Sequence, residues 1–542
     1  MNHKYILLLF FVFFGFSSIA QRKIPRLVVV VNIEQMRSDY LKRYSKRFGD
    51  DGFARLSREG TICTNVNMNL HVLKNIVGVP TLFTGVYPDK HGIVNDSWFD
   101  RLKGKEVNAL YDSQYMTVGS DSREGQRSAN FLLSPTIGDA LKIQTRGRAK
   151  VFSVANNDYS AVFSAGHAAD GAYWIDNQTG NMISSSRYVN RFPEWAFNFN
   201  NRKMAESYSS RTWETFFVST DYESSLPDDY PYEKGFLGKY KTFPYDLKQM
   251  VNETGNFKIL KSTPFGNSIV SEFAIDLMKG EQLGNDDIPD LLTISFSIMD
   301  VENNSFNPFS MEMEDIFLRL DREIAYLFEH IDREVGMDNT LFILTSACSG
   351  TFPADYLKME YNMPAGFVNP ESMIALLKSY MNITFGQGEW IIYVSDQQIY
   401  LNRELIEKNK LSLDLVQGKA AEFINQFEGV KLSIPSNDIL KGDYVKSQLA
   451  AIAGSYNLKR SGDILYSLEE GWQPQYKFKQ VVYNDNPSIS MIWMGAGMKS
   501  KVYRKPVDAI DMAPTIFEIL DLDIPSYFDG QVIEEILLDT TH

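Results

Sequence analysis

Histidine, a side chain on which zinc sites commonly depend, is scarce in this chain. The 542 residues include six histidines, and one of them, His3, lies in an apolar leader. The other five form no HxH, HxxH or HExxH pair, and none directly follows an aspartate: His71, His91, His167, His330 and His542. Zinc requires clustered imidazole or thiolate ligands. The sequence therefore does not predict a histidine-rich zinc site.

Carboxylates stand where two buried strands are predicted to end. The run RLVVVVNI at residues 26–33 is followed by Glu34, and LLTISFSIM at residues 291–299 is followed by Asp300. Short runs rich in β-branched and other apolar residues are typical of strands buried on both faces of a sheet. If the fold brings these ends together, Glu34, Asp96 and Asp300 converge on an oxygen-only site that suits Mg²⁺ or Ca²⁺. The alternative is that the carboxylates cap or hydrogen-bond neighbouring loops.

The rest of the pattern alternates helices with short strands. Residues 311–335 carry apolar side chains at every third or fourth position, which predicts an amphipathic core helix. Strands are predicted at 152–155, 341–345 and 490–494, a hairpin at 171–189, and helices at 75–85, 411–427 and 512–522. Asn75 is predicted to be the N-cap of its helix. The alternation predicts an α/β fold with a mostly parallel central sheet flanked by helices.

The N-terminus has the features of a secretory signal peptide. Lys4 precedes an apolar run at residues 6–16, and the triplet Ser-Ile-Ala at 18–20 supplies small residues for cleavage before Gln21. The run is shorter than the ~20 residues that span a bilayer, and an uncleaved anchor is the alternative. We expect a signal peptide at 1–20, one domain at 21–542, no later transmembrane segment, and a periplasmic or secreted location.

Charge and cysteine content narrow the choice of partners. The formal net charge is −14, which repels nucleic acid and anionic membranes. Nucleic acid is therefore not expected as a partner, and a phosphate site would need local positive charge or metal. Both cysteines, Cys63 and Cys348, lie in segments predicted to be buried. This favours free thiols over the single disulfide that an oxidising compartment permits.

Several segments together resemble one family. VVNIEQMRSDY, TLFTGVYPDKHGI, SFSIMD and the tail VDAIDMAPTIFEILDLDIPSYFDG resemble the alkaline phosphatase superfamily. AGHAADGAYWID and QIYLNRELI are similar to its secreted phosphate-irrepressible members from Bacteroidetes, which are kin to nucleotide pyrophosphatase/phosphodiesterases. The resemblance implies an alkaline-phosphatase-like sheet with insertions at about 168–288 and 352–482 that form a cap or second lobe. It also implies a two-zinc site, a threonine nucleophile and a lysine/arginine pair that grips phosphate.

The positions that match this family's site hold different residue types. Glu34 matches the first aspartate ligand, Asn75 the nucleophile, Asp96 the phosphate-contacting asparagine, Asn157 and Tyr159 the lysine and arginine, Asp300 and Asn304 the Asp-x-x-x-His pair, Cys348 and Ser349 the Asp-His dipeptide, and Ser488 the last histidine. A carboxamide at position 75 cannot be deprotonated to attack phosphorus. Loss of all three histidines removes ligands that zinc requires.

The resemblance and the substitutions together predict an exported pseudo-phosphatase. In this hypothesis the scaffold is retained without a cofactor, and it binds a small ligand or another envelope protein. One alternative is an active phosphate- or sulfate-ester hydrolase with Mg²⁺ or Ca²⁺ held by Glu34 and Asp300. Another is a structural scaffold of the envelope. An open polar pocket at the strand ends would favour a ligand role, and a pocket filled by Tyr159 and neighbouring aromatic side chains would favour the scaffold.

Overall fold

A computed structural model describes residues 24–298, 306–442, 449–476 and 488–537. The signal-peptide prediction therefore falls outside the described residues, as do Asp300 and Asn304. Within the described part, no helix combines the length and apolar character needed to cross a membrane.

The central sheet joins eleven of the described strands. In spatial order they are Lys501–Tyr503, Thr61–Asn67, Ser488–Gly495, Thr340–Thr345, Leu27–Ile33, Asp290–Phe296, Val151–Ala155, Gly171–Ile175, Met182–Ser185 and Thr117–Val118, with Val507–Asp508 beside Thr61–Asn67. The five strands from Thr340–Thr345 to Gly171–Ile175 are parallel, and Ser488–Gly495 runs antiparallel to both its neighbours. The predicted α/β fold is confirmed, with a mixed sheet that is parallel at its centre.

The strand Leu27–Ile33 shows why the centre is parallel. All seven of its residues are buried. Val29, Val31 and Ile33 join one hydrophobic cluster, whereas Val28 and Val30 join another on the opposite face. Because successive side chains of a strand point to opposite faces, a β-branched run of this kind needs cover on both sides. The flanking helices supply that cover and leave the carboxyl ends of the strands as an edge.

The described chain also contains nineteen α-helices. Their bounds are Tyr40–Arg43, Phe53–Glu59, Asn75–Thr84, Pro88–His91, Ile137–Gln144, Asp158–Ala165, Glu194–Asn200, Met204–Ser209, Leu247–Thr254, Pro264–Glu281, Met311–Glu334, Ala354–Tyr361, Pro370–Phe385, Arg403–Lys408, Leu413–Ile424, Ser436–Lys441, Ala450–Gly454, Met512–Ile519 and Glu534–Leu537. The helix predicted at 311–335 is confirmed as Met311–Glu334, and Ser310 caps it by accepting from the Met313 N–H at 3.2 Å.

The two segments expected as insertions differ in how they pack. The helix Pro264–Glu281 of the first segment shares a hydrophobic cluster with the central strand Leu27–Ile33. The second segment carries its own four-stranded sheet and its own hydrophobic cluster. Its strands are Ile391–Ser395, Gln398–Leu401, Ile464–Leu468 and Val430–Pro435. The cap or second-lobe organisation stays a prediction.

Three shorter ladders complete the described strands. They pair Ser97–Asp100 with Lys105–Asn108, Thr212–Trp213 with Tyr245–Asp246, and Gly366–Val368 with Trp472–Pro474. The predicted hairpin at 171–189 is confirmed, because Gly171–Ile175 and Met182–Ser185 pair antiparallel. Cys63 and Cys348 are buried and are not joined in a disulfide, as the sequence predicts.

Candidate functional site

Glu34 is the centre of a buried hydrogen-bond network at the carboxyl end of the first strand. Its side chain is 1% exposed. Oε1 accepts from the Ser160 hydroxyl at 2.5 Å, and Oε2 accepts from the Tyr159 hydroxyl at 2.7 Å. The amides of Asn157 and Asn75 also donate to Oε2, at 3.0 and 3.4 Å. All four donors are electrically neutral groups.

These donors come from the N-terminal turns of two helices. Asn75 is the first residue of Asn75–Thr84, and Asn157 is the N-cap of Asp158–Ala165. The N-terminal end of a helix carries partial positive charge, which favours an anion in contact with it. The sequence prediction that Asn75 is an N-cap is wrong, because Lys74 holds that position. The amide of Asn75 is instead turned to Glu34 and Cys348, which lie far away in sequence.

Burial sets the protonation of this network. Removal from water raises the pKa of Glu34, while hydrogen bonds from Ser160, Tyr159 and Asn157, and the distant charge of Lys261, act in the opposite direction. Burial and the neighbouring carboxylate of Glu34 raise the pKa of Tyr159 well above its ordinary value. Tyr159 therefore stays a phenol and remains a donor.

The Cys348-Ser349 dipeptide contacts residues of this network and its neighbour Gln35. The Cys348 thiol is buried and donates to Asn75 Oδ1 at 2.9 Å. Ser349 pairs through its backbone with Gln35, the residue after Glu34, and its buried hydroxyl has no hydrogen-bond partner in the described part of the chain. A thiol that donates its hydrogen to an amide is not a thiolate, so it is neither a strong nucleophile nor a good metal ligand.

Asp96 does not join Glu34 but lies in an ion-pair cluster beside it. Its side chain is 53% exposed and pairs with Lys74 at 3.1 Å. Lys74 also pairs with Asp396, which lies between the strands Ile391–Ser395 and Gln398–Leu401 of the second sheet. Burial lowers the pKa of Lys74, but the two carboxylates outweigh burial and raise it. The lysine next to the predicted nucleophile position is thus neutralised by carboxylates.

The sequence prediction missed Lys74 and Ser160. Lys74 immediately precedes Asn75 in the run HVLKNIV, where one cation among apolar residues was a usable signal. Its partner Asp396 lies 322 residues further on, which no local pattern reveals. Ser488 begins the strand Ser488–Gly495 and pairs with Asn67.

His91 has a structural role. The ring is fully buried, its Nδ1 accepts from the Ile93 N–H at 3.1 Å, and its Nε2 lies 3.0 Å from the Thr81 hydroxyl. Because Thr81 donates its own hydrogen to the Val77 carbonyl, Nε2 is the donor in that pair. Burial and the nearby Arg460 lower the pKa of His91 to about 3, so the imidazole is neutral.

The described residues do not fit a zinc pair. Both oxygens of Glu34 already accept hydrogen bonds, and each of the four described donors turns a hydrogen, rather than a lone pair, towards it. Zinc takes thiolate, imidazole or carboxylate ligands, usually four for each ion. Among the described residues, no group of three or more His, Cys, Asp or Glu side chains has the arrangement that holds a metal.

Comparison with known proteins identifies the family. The sequence model described as type I phosphodiesterase / nucleotide pyrophosphatase matches residues 28–489. A protein named calcium-transporting ATPase from Myroides odoratus is 32% identical over 96% of this chain and 97% of its own. Alkaline phosphatase PafA from Elizabethkingia meningoseptica is 32% identical over 95% of this chain and 94% of its own.

The fold agrees with this match. The crystal structure of wild-type alkaline phosphatase PafA superposes with a TM-score of 0.89 at 31% identity, covering 95% of this chain and 99% of that one. The resemblance inferred from the sequence is thereby confirmed for family and fold. This chain belongs to the type I phosphodiesterase / nucleotide pyrophosphatase family and has the alkaline-phosphatase-like fold.

Proposed function

We propose that this chain is an exported pseudo-phosphatase that works by binding a partner protein of the envelope. The observation that carries the proposal is the donor set of Glu34. Residues at the positions predicted for the nucleophile and for the phosphate clamp, Asn75, Asn157 and Tyr159, all donate to the residue at the predicted metal position. The substituted side chains thus satisfy one another instead of a substrate and a metal.

The charge balance of the pocket supports the same conclusion. A phosphate group is bound by cations or metal, and none of the four donors to Glu34 carries charge. A phosphate dianion would meet a buried carboxylate, and Lys74 is already held by Asp96 and Asp396. Hydrolysis also needs an activated nucleophile. The Asn75 amide cannot act as one, and the Cys348 thiol donates its hydrogen to that amide.

A role outside the pocket is favoured over a small ligand within it. The Tyr159 hydroxyl already occupies one lone pair of Glu34 Oε2, and a ligand would have to displace donors from the same chain. Export is proposed from the apolar leader at residues 6–16 alone.

The test is a broad panel of phosphate and sulfate esters, with the Glu34→Ala variant purified identically as the matched control. We expect the same background rate from both proteins. Turnover that exceeds the Glu34→Ala control, with any metal in the buffer, would refute the pseudo-phosphatase.

The second candidate is an active hydrolase that uses a hard cation held by Glu34 and Asp300. It is favoured by the relatives, since PafA, 32% identical, is named an alkaline phosphatase. Hard cations take oxygen ligands, which both residues offer. Mass spectrometry of metal content on protein purified without chelator, together with thermal shifts on adding Mg²⁺, Ca²⁺, Mn²⁺ or Zn²⁺, separates the two candidates. No stoichiometric metal and no shift would remove the hydrolase.

A further inference from the structure

Two buried carboxyl groups outside the candidate site form no ion pair within the described ranges of the chain. Glu233 lies in the segment of residues 212–246, and Glu312 lies in the first turn of the helix Met311–Glu334; each is 2% exposed. Glu233 Oε1 accepts from the Asn307 N–H at 3.3 Å, and Glu312 Oε1 accepts from the Tyr245 hydroxyl at 2.5 Å. The Oε2 atom of each has no hydrogen-bond partner in the described part of the chain.

The groups that face this pair add more negative than positive charge. Asp228 acts on both carboxyls from the same segment, and its own oxygens accept from the Phe243 N–H at 3.1 and 3.2 Å. Lys241 attracts Glu233 weakly, but it forms no ion pair with either carboxyl within the ranges described. Tyr245 is a neutral donor. Leaving both glutamates ionised here would bury two like charges with hydrogen-bond donors but without an ion-pair partner among the described residues.

Another buried carboxylate on the same helix is compensated in the ordinary way, by several hydrogen-bond donors and a cation. Asp315 is fully buried and accepts from Trp213 Nε1, the Phe216 N–H and the Tyr222 hydroxyl, all at 2.6 Å. The Arg319 guanidinium adds a fourth donor at 2.7 Å and a full positive charge. The same segment and helix therefore bury Asp315 with a cation and the pair Glu233 and Glu312 without one.

A proton fits the pair better than a divalent cation. Ca²⁺ takes six to eight oxygen ligands, and among the described residues no group of three or more His, Cys, Asp or Glu side chains is arranged to hold a metal. The partial positive charge of the first helical turn also disfavours a divalent cation beside Glu312. The Asn307 side-chain amide, also fully buried, has an unpartnered N–H in the same place, and this donor needs an acceptor rather than a metal.

We propose that Glu233 and Glu312 form a proton-dependent contact. At least one of the two carboxyls is protonated while residues 212–246 are docked on the helix Met311–Glu334. When the segment separates from the helix, both carboxyls enter water and ionise. Docking then requires uptake of a proton, so loss of protons weakens it.

The direction of the pH effect follows from linkage. Burial, followed by the charge of Glu312, raises the pKa of Glu233 to about 9, and burial raises the pKa of Glu312 to about 8. The docked state therefore binds more protons than the separated state from about pH 4.5, the ordinary glutamate value, up to about pH 8–9. Across that window the opening equilibrium rises up to about tenfold per pH unit for each retained proton.

Hydrogen exchange of the full chain over a pH series, corrected for intrinsic exchange rates, tests this. In the wild type, we expect the opening constant of amides in residues 212–246 to rise by up to about tenfold per pH unit between pH 5 and 8. Glu233→Gln and Glu312→Gln keep size and the main hydrogen bonds, and each should flatten that dependence. Glu329→Gln, on the exposed face of the same helix (side chain 69% exposed), is the matched control and should follow the wild type.

Infrared spectra supply a second measurement that does not depend on the variants folding. The wild type at pH 7 should show the carbonyl band of a buried protonated carboxyl, which either glutamine variant diminishes. Opening in this segment that does not vary with pH, or absence of that band, would overturn the proposal. Protection that rises on adding Ca²⁺ or Mg²⁺ in the wild type and not in Glu233→Gln would also overturn it, in favour of a metal site.

Discussion

Glu34 and Asp463 are both buried carboxylates with several donors, but their donors differ in charge. Asp463 is fully buried in the second sheet region and accepts from two guanidinium groups: Arg101 at 3.1 Å and Arg403 at 2.8 Å. The Leu401 N–H at 2.8 Å and the Gln417 amide at 3.3 Å complete its set. Glu34 receives four donors with no charge among them.

This difference separates a carboxylate bound by counter-ions from one whose described donors are all neutral. Asp463 is bound by the guanidinium groups of Arg101 and Arg403, and its other donors lie on the strand Gln398–Leu401 and the helix Leu413–Ile424. Glu34 occupies the place where the family resemblance implies metal and phosphate, yet its hydrogen-bond donors in the described part of the chain are amide, phenol and hydroxyl groups. Neutral donors can bury a carboxylate, but they cannot recruit a phosphate dianion.

The largest expected effect on stability comes from removing Asp463, the buried carboxylate that is bound by two arginines. Asp463→Ala leaves Arg101 and Arg403 without their buried partner, and we expect a loss of about 3–5 kcal/mol in the free energy of unfolding. Urea unfolding measures it. Asp414→Ala, which breaks the exposed pair with Lys441, is the control and should change the free energy of unfolding little. Equal losses in the two variants would show that Asp463 is not held ionically.

Glu34→Gln tests the network of neutral donors around Glu34 through the pH dependence of stability. Because burial raises the pKa of Glu34 above its ordinary 4.5, the folded state retains a proton that the unfolded state releases, and stability falls as pH rises from about 4.5 towards the folded pKa. Glutamine does not titrate. The free energy of unfolding of Glu34→Gln, relative to that of the wild type, should therefore increase by up to about 1.4 kcal/mol per pH unit in that window. Thermal unfolding between pH 4 and 8 measures the difference, and parallel curves would contradict it.

Tyr159→Phe removes one donor and leaves three. The hydrogen bond to Glu34 is 2.7 Å long, and we expect a loss of about 1–2 kcal/mol in the free energy of unfolding. Tyr111→Phe, at a half-exposed tyrosine, is the control and should change little. A Tyr159→Phe protein as stable as the control would mean that Tyr159 is dispensable and that the pocket has room for another ligand.

Asp96→Asn should have the smallest effect. Its pair with Lys74 is half exposed, and Lys74 keeps Asp396, so we expect at most about 1 kcal/mol by denaturant unfolding. The pH dependence that Glu34 produces should remain, because Asp96 belongs to the neighbouring cluster. A change in that dependence would place Asp96 in the Glu34 network after all.

The sequence was sufficient for much of the fold. The run at residues 26–33 predicted a strand buried on both faces, and the structure has Leu27–Ile33 at the centre of the sheet. The three- and four-residue spacing at 311–335 predicted Met311–Glu334 almost to its ends. The prediction of Asn75 as an N-cap was wrong, because the partners of its amide are Glu34 and Cys348. No local sequence pattern places these two residues beside Asn75.

What the sequence determined by itself was the list of chemical groups: few histidines, an amide at the predicted nucleophile position, and a glutamate after the first strand. Periodicity of apolar residues fixed the layers, since burial follows spacing along the chain. Only the tertiary structure decided that Asn157, Tyr159 and Ser160 donate to Glu34, and that Asp96 turns to Lys74 instead. Hydrogen bonds act over about 3 Å, so partners more than a hundred residues apart are set by packing and not by spacing in the chain.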